Sequence, residues 1–242
     1  MRTTALAFAA ALFISSSCVQ GYGFGFAAEG STAGGNKEIA VKNNCKDTIG
    51  VGVLTNGQSQ PEKTFDLSPG SSQTITKSDK WGGRVWGRHG CQGQSTGKCG
   101  TPGTGNPASL AEFFFKGSGD HDYYDISLVD GYNLPITITP KSTGGGDGKY
   151  KCGKASCDVP DCPKDFAITD DKGNVIGCQS ACSKNNSDED CCKGAHDDPN
   201  VCKPDKQSQS VKEACPDAYS FAYDDQTSTF NCQENSYEVT FC

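Results

Sequence analysis

Residues 110–140 read LAEFFFKGSGDHDYYDISLVDGYNLPITITP, three short apolar-rich runs separated by glycine, aspartate and asparagine. Short runs rich in aromatic and β-branched residues, each bounded by turn-forming residues, are typical of β-strands joined by tight turns. The stretch therefore predicts strands near 110–117, 123–131 and 134–140. Within it, the three consecutive phenylalanines 113–115 must place at least one ring on each face of their strand.

The same pattern continues along the chain in both directions. Upstream it covers KEIAVKNNC (37–45), TIGVGVL (48–54), FDLSPGSSQTITK (65–77) and GRVWGRHGC (83–91), and downstream SFAYD (220–224), STFNC (228–232) and YEVTFC (237–242). Many short strands with Gly, Pro, Asn and Ser turns between them indicate an all-β antiparallel sandwich or barrel. Short helices are predicted near 179–191 and 208–214.

The N-terminus has the pattern of a secretory signal peptide. Arg2 precedes an apolar run from Ala5 to Ile14, and three serines follow it. The run is too short to span a bilayer, and no later segment of the sequence is longer, so no transmembrane segment is predicted. We expect a signal peptide at 1–20, although the cleavage point could be as late as residue 28. A Gly-rich leader is expected at 21–36. The protein is expected outside the cell or in a cell wall.

The cysteine count supports that compartment. The chain has 15 cysteines, and removal of the signal peptide removes Cys18 and leaves an even number, as in a fully paired secreted protein. The spacing of Cys152, Cys157 and Cys162 would also suit zinc, but an oxidising compartment favours disulfides. The eight cysteines between 152 and 202 lie in a segment with few apolar runs, which must be held by such links.

Several classes of function are disfavoured by composition and by missing motifs. A formal net charge of −7 gives no attraction to phosphate backbones, so no nucleic-acid partner is expected. The three histidines, His89, His121 and His196, have no metal-ligand spacing, and no nucleophile elbow or phosphate-binding loop occurs. No cofactor and no metal are therefore expected. Asn185-Asn186-Ser187 is either an N-glycosylation site or an unused tripeptide.

Five segments in order resemble the thaumatin-like proteins. They are GGRVWGRHGC (82–91), SLAEFFF (109–115), DYYDISLVDGYNLP (122–135), CPDAYSFAYDDQTSTFNC (215–232) and YEVTFC (237–242). The resemblance covers the chain from Lys37 onward. It implies a flattened antiparallel β-sandwich at 37–90, 108–150 and 212–242, a small loop region at 91–107 and a disulfide-rich subdomain with a helix at 151–211.

The resemblance also implies a disulfide pairing, which spacing alone leaves open. The implied pairs are Cys45–Cys242, Cys91–Cys99, Cys152–Cys232, Cys157–Cys215, Cys162–Cys178, Cys182–Cys191 and Cys192–Cys202. The common plant pattern has eight disulfides and a G-x-C-x-T-G-D-C run, whereas this chain has GKCGTPGTG at 97–105. Both cysteines of one pair are missing, so the small loop region is expected to be reduced, as in fungal members of the family.

The family has an acidic cleft between the sandwich and the disulfide-rich subdomain. The matching positions in this chain are Arg84, Glu112, Asp125, Asp130 and Asp224. Asp225 could take the place of Asp224, and Asp122 is a further acidic candidate. Trp86, Phe113, Tyr123, Tyr124 and Tyr132 could stack on sugar rings, although alternation along the strands directs about half of them into the core.

This cleft suits hydrolysis of a glycosidic bond, which needs a protonated acid and a second carboxylate. Crowded carboxylates raise the pKa of one group, and a nearby arginine lowers that of another. We expect Glu112 as the acid and Asp125 as its partner in a monomeric endo-β-1,3-glucanase acting on fungal cell-wall glucan. The alternatives are a non-catalytic glucan-binding defence or wall-remodelling protein and an inhibitor of hydrolases.

Overall fold

The structure is a computed structural model that describes residues 35–91, 99, 101–102, 106–141, 148–234 and 236–242. The signal peptide, most of the Gly-rich leader and most of the small loop region lie outside these residues, so these expectations stay predictions. In the described part of the chain, no helix is long and apolar enough to cross a membrane.

Two large sheets form the body of the protein. The first has the strand order β4 (Ser72–Ser78), β1 (Asn36–Asn43), β14 (Ser236–Phe241), β8 (Ile136–Pro140) and β9 (Ala155–Cys157). The second has the order β12 (Ala218–Tyr219), β7 (Asp122–Ser127), β6 (Leu110–Phe114), β5 (Gly82–His89), β2 (Ile49–Thr55) and β3 (Lys63–Leu67), and β13 (Phe230–Cys232) also pairs with β7. The all-β prediction is confirmed.

Not every strand pair is antiparallel. The first and last strands of the fold, β1 and β14, lie side by side and parallel, and β12 is parallel to β7. These partners are far apart in sequence, so no tight turn joins them and none forces an antiparallel arrangement. β9 pairs with β8, which extends the first sheet into the segment assigned to the disulfide-rich subdomain.

The two sheets pack face to face through aromatic side chains. Tyr237 of β14 lies between three rings of the other sheet, with centroids 5.4 Å from Phe113, 5.4 Å from Tyr124 and 5.7 Å from Phe115. All four side chains are buried, while Phe114 is half exposed. This distribution confirms that the Phe113–Phe115 run places rings on both faces of the sheet.

One buried ion pair crosses this core. The Lys37 Nζ atom lies 2.7 Å from Asp122 Oδ2, and the Tyr237 hydroxyl donates a hydrogen bond of 2.6 Å to the same oxygen. Asp122 is therefore fully engaged inside the sandwich. It is not a member of the acidic cleft, because β7 directs alternate side chains to opposite faces.

The disulfide-rich segment consists of loops, the short hairpin of β10 (Ala167–Thr169) and β11 (Val175–Cys178), and the helices α1 (Ala181–Asn185) and α2 (Lys206–Ala214). Among the described residues the structure has seven disulfides, and they are the seven pairs that the resemblance implies. The helix near 208–214 is confirmed. The helix expected across 179–191 is only five residues long, because Asn186 adopts a left-handed conformation that ends it.

One predicted strand is wrong. Residues 220–224 form a loop, and the extended segment is β12, just before them. The Asp224 carboxylate accepts hydrogen bonds of 3.2 Å from both the backbone N–H and the hydroxyl of Ser220. These bonds close the chain into a turn, which leads into the short helix α3 (Asp225–Ser228).

Candidate active site

A row of three charged side chains crosses the outer face of the second sheet. Arg84 of β5 pairs directly with Glu112 of β6, and Glu112 pairs directly with Asp125 of β7. Their chain neighbours Val85, Phe113 and Tyr124 are buried in the core, so the three charged side chains point the opposite way. Directly opposed residues have Cβ atoms about 4.5–5.5 Å apart, so these three side chains are neighbours on that face. We call these three residues the charged row.

Glu112 lies at the centre of the charged row and is half-buried. Burial raises the pKa of its carboxyl above the ordinary value, and the Arg84 guanidinium opposes that rise. Asp130, in the turn after β7, adds to the rise in the pKa of Glu112, and a hydrogen bond from Ser127 counteracts it. Glu112 is therefore a carboxyl with one cation and one hydrogen-bond donor that stabilise its ionised form.

Asp125 has a less favourable setting for a charge. Burial raises the pKa of its carboxyl well above the ordinary value, and the neighbouring carboxylates of Glu112 and Asp225 raise it further. Its Oδ1 atom is buried and has no hydrogen-bond partner. The charged row thus contains two adjacent carboxyls with different environments, the arrangement that lets one stay protonated while the other is ionised.

The two acidic candidates after β12 have different partners. Asp224 forms an ion pair with Lys212 at 3.0 Å and accepts a hydrogen bond of 3.1 Å from the Thr227 hydroxyl, besides closing the Ser220 turn. Asp225 is exposed and acts electrostatically on Asp125. The structure therefore brings Asp225 to the charged row and commits Asp224 to holding the loop.

Tyr219 extends the site beyond what the sequence indicated. Its hydroxyl donates a hydrogen bond of 2.8 Å to Asp225 Oδ1 and lies 2.5 Å from the Thr229 hydroxyl. Burial raises the pKa of Tyr219 far above its ordinary value, and Asp125 adds to that rise. Tyr219 is paired with Ser127 across β12 and β7, a contact between residues 92 positions apart that no local pattern reveals.

Most of the aromatic candidates are unavailable to a sugar. Trp86, Phe113, Tyr124 and Tyr132 are all buried, and Tyr123 is half-buried. Trp86 is on the same face as the charged row, but its indole lies over Gly52 and packs against Leu54 and Leu110. A Cβ atom at Gly52 would come within 2.3 Å of that indole, so the glycine makes room for it. Trp86 therefore packs beside the charged row, on the same face of the sheet.

One group of potential metal ligands occurs among the described residues. His89 lies beside Cys45 and Cys242, with the ligand atoms of all three within 4.8 Å of one another. The two sulfurs are bonded to each other, so neither is a thiolate able to hold a metal ion.

Comparisons with known proteins agree with this architecture. The Thaumatin family model matches residues 43–242. The chain is 43% identical over 221 residues to "Pathogenesis-related protein 5" of Arabidopsis thaliana, covering 85% of this chain and 90% of that protein. It is 38% identical over 222 residues to "Glucan endo-1,3-beta-glucosidase" of Prunus avium, covering 84% and 89%.

A solved structure shares the fold at low sequence identity. It is described as "Crystal structure of laminaripentaose-producing beta-1,3-glucanase in complex with laminaritetraose", with a TM-score of 0.57 and 13% identity over 85% of this chain and 98% of that chain. From the family match and these identities together, the chain belongs to the thaumatin family.

Proposed function

We propose that this protein is a secreted, monomeric β-1,3-glucan-binding protein that hydrolyses glucan of fungal cell walls at the charged row. The observation that carries the proposal is the direct pairing of Arg84, Glu112 and Asp125 on one sheet face, with both carboxyls half-buried. The name of the Prunus avium relative supports the substrate class, and the name of the Arabidopsis relative supports a role in defence.

The environments of the two carboxyls suggest how they divide the work. Asp125 has two carboxylate neighbours and an oxygen without a partner, whereas Glu112 has Arg84 and Ser127. We therefore propose that Asp125 holds the proton of the resting pair and that Glu112 is the ionised partner. This reverses the division of labour expected from the sequence. Glycosidic cleavage then uses the Asp125 proton on the leaving oxygen, and Glu112 assists attack at the sugar carbon.

The other residues near the row have positioning roles in this proposal. Arg84 keeps Glu112 ionised, and Asp225, held by Tyr219, keeps the proton on Asp125. Asp130 adds negative potential beside Glu112 and offers a further acceptor for sugar hydroxyls. Asp224 contributes indirectly, because its bonds to Lys212 and Ser220 fix the loop that carries Asp225.

The pH dependence of hydrolysis tests this assignment. The rate falls on the acidic side as Glu112 becomes protonated and on the alkaline side as Asp125 loses its proton. Both pKa values are raised, so we expect the active range to lie at higher pH than for a pair of carboxyls with ordinary pKa values. In Arg84→Met, loss of the cation raises the pKa of Glu112 further and should move the acidic limb to higher pH. Profiles of kcat on linear β-1,3-glucan measure both effects, and an unmoved acidic limb in the variant contradicts the role of Arg84.

A further inference from the structure

A groove of about 730 Å³ lies in the disulfide-rich part of the chain, and no residue of the charged row lines it. Its floor is apolar, with the buried side chains of Tyr132, Ala181 and Val211 beside the half-buried ring of Phe166. The volume is within the range of about 300–1,000 Å³ that is typical of ligand sites. Such a floor, open at the surface, suits a ligand with an apolar face.

The rim of this groove is polar and carries both donors and acceptors. Asp161 and Lys206 are exposed at its edge, and Asp205 lies beside them at the start of α2. The Asp205 carboxylate already accepts hydrogen bonds from the backbone N–H groups of Gln207 and Ser208. Its main role is therefore to hold the start of α2 at the rim. Asp161 and Lys206 are the groups positioned for new hydrogen bonds with hydroxyl or amide groups.

The wall of the groove contains the asparagine of the Asn185-Asn186-Ser187 sequon. Asn185 is the exposed last residue of α1, and its Nδ2 atom donates a hydrogen bond of 2.8 Å to Asp190 Oδ2. The Ser187 hydroxyl donates a hydrogen bond of 2.7 Å to the same oxygen. Asp190 thus holds the acceptor side chain of the sequon against the groove.

We propose that Asn185 carries an N-linked glycan whose first two N-acetylglucosamine residues lie in this groove. The proposal depends on secretion of the chain, since the sugar donor is a lipid-linked diphosphate oligosaccharide of the secretory pathway. In the attachment, Asn185 Nδ2 loses a proton and bonds to the anomeric carbon, whose bond to the diphosphate breaks. Nδ2 keeps one hydrogen, which is enough to preserve the bond to Asp190.

The chemistry of N-acetylglucosamine matches the groove. Its C–H faces and acetyl methyl group suit Phe166 and the apolar floor, while its hydroxyls and amide can bond to Asp161 and Lys206 on the rim. A tethered ligand also needs little intrinsic affinity, because a short linkage gives an effective concentration in the millimolar range. A dissociation constant of about 0.1 mM would then keep the sugars docked about nine-tenths of the time.

The proposal is tested by combining glycopeptide mapping with hydrogen exchange. The full chain is secreted from a eukaryotic host, and occupancy at Asn185 is measured by mass spectrometry. Exchange of backbone amides at 160–168 and 206–211 is then compared between the glycosylated protein and Asn185→Gln. We expect occupancy at Asn185 and exchange about tenfold slower in these segments when the glycan is present.

A control places a glycan elsewhere. Combining Asn185→Gln with Gln58→Asn and Gln60→Thr moves the sequon to the exposed loop between β2 and β3. This variant should show the faster exchange of Asn185→Gln in the groove segments. An unoccupied Asn185 overturns the proposal, as do equal exchange rates with and without the Asn185 glycan, or equal protection from the relocated one. None of these results bears on glucan hydrolysis at the charged row.

Discussion

Replacing Asp125 by asparagine is expected to lower the rate of β-1,3-glucan hydrolysis by about 10²- to 10⁴-fold, the usual contribution of a general acid. The amide has nearly the same shape but supplies no proton to the leaving oxygen. The same variant should regain much of its rate on an aryl β-1,3-glucoside oligomer, because a good leaving group departs without protonation. Release of reducing sugar from glucan and release of the aryl group, measured side by side, give the rates of the variant on the two substrates.

The stability of this variant separates a catalytic loss from unfolding. The pKa of Asp125 is raised in the folded protein, so the folded state binds a proton that the unfolded chain releases above its ordinary pKa of 3.8. Folding stability is therefore lost as pH rises from that value through the folded pKa. Asparagine has no such dependence, and the melting temperature of Asp125→Asn at pH 7 should equal or exceed that of the wild type.

Two outcomes would contradict the assignment of the proton to Asp125. In one, the aryl substrate restores the hydrolysis rate of Glu112→Gln but not that of Asp125→Asn, which would identify Glu112 as the acid. The other is wild-type hydrolysis of glucan by Asp125→Asn. Asp120→Asn is the matched control, because Asp120 is exposed on the loop before β7 and asparagine tolerates its left-handed backbone.

Removal of the disulfide between Cys45 and Cys242 should cause the largest loss of stability. It joins Cys45, in the loop after β1, to Cys242, which directly follows β14, and the two cysteines are 197 positions apart in sequence. In the chain-entropy model a loop of about 100 residues contributes about 4.7 kcal/mol, and the other six links shorten the effective loop here. We expect the double variant Cys45→Ala, Cys242→Ala to lose about 4 kcal/mol of unfolding free energy, close to a 10³-fold change in the unfolding equilibrium.

The matched control is Cys91→Ala with Cys99→Ala, which opens a link with a sequence separation of only 8. The same model gives about 2.5 kcal/mol for that loop. Chemical denaturation of both variants and the wild type, monitored by tryptophan fluorescence, measures which variant loses more unfolding free energy. Equal losses in the two double variants would contradict the entropic account and assign the effect to local packing instead.

The sequence predicted the fold well where local chemistry decides the structure. Alternating apolar residues and Pro-Gly turns predicted strands such as β3 and β4. The Phe113–Phe115 run predicted rings on both faces of its strand, and Phe114 is half exposed while its two neighbours are buried. It failed at 220–224, because the turn there depends on the Asp224 carboxylate reaching back to Ser220. A strand-like composition does not predict such a hydrogen bond between a side chain and the backbone.

The candidate site was predictable only in part for a related reason. The family resemblance made Arg84, Glu112 and Asp125 candidates, and the strand register places them in one row. The parallel pairing of β12 with β7, which brings Tyr219 to the site, joins segments almost a hundred residues apart. The burial of Trp86 likewise depends on Gly52 of a neighbouring strand, which only the assembled sheet reveals.

The most direct test of the account is a single incubation of insoluble linear β-1,3-glucan with wild type and with Glu112→Gln. Soluble oligosaccharides and bound protein are quantified in the same tubes, and Glu238→Gln on β14 is the control. We predict oligosaccharides from the wild type and the control, and binding without products from Glu112→Gln. Equal binding by all three proteins with no products from any would contradict hydrolysis and make the charged row a sugar-binding surface.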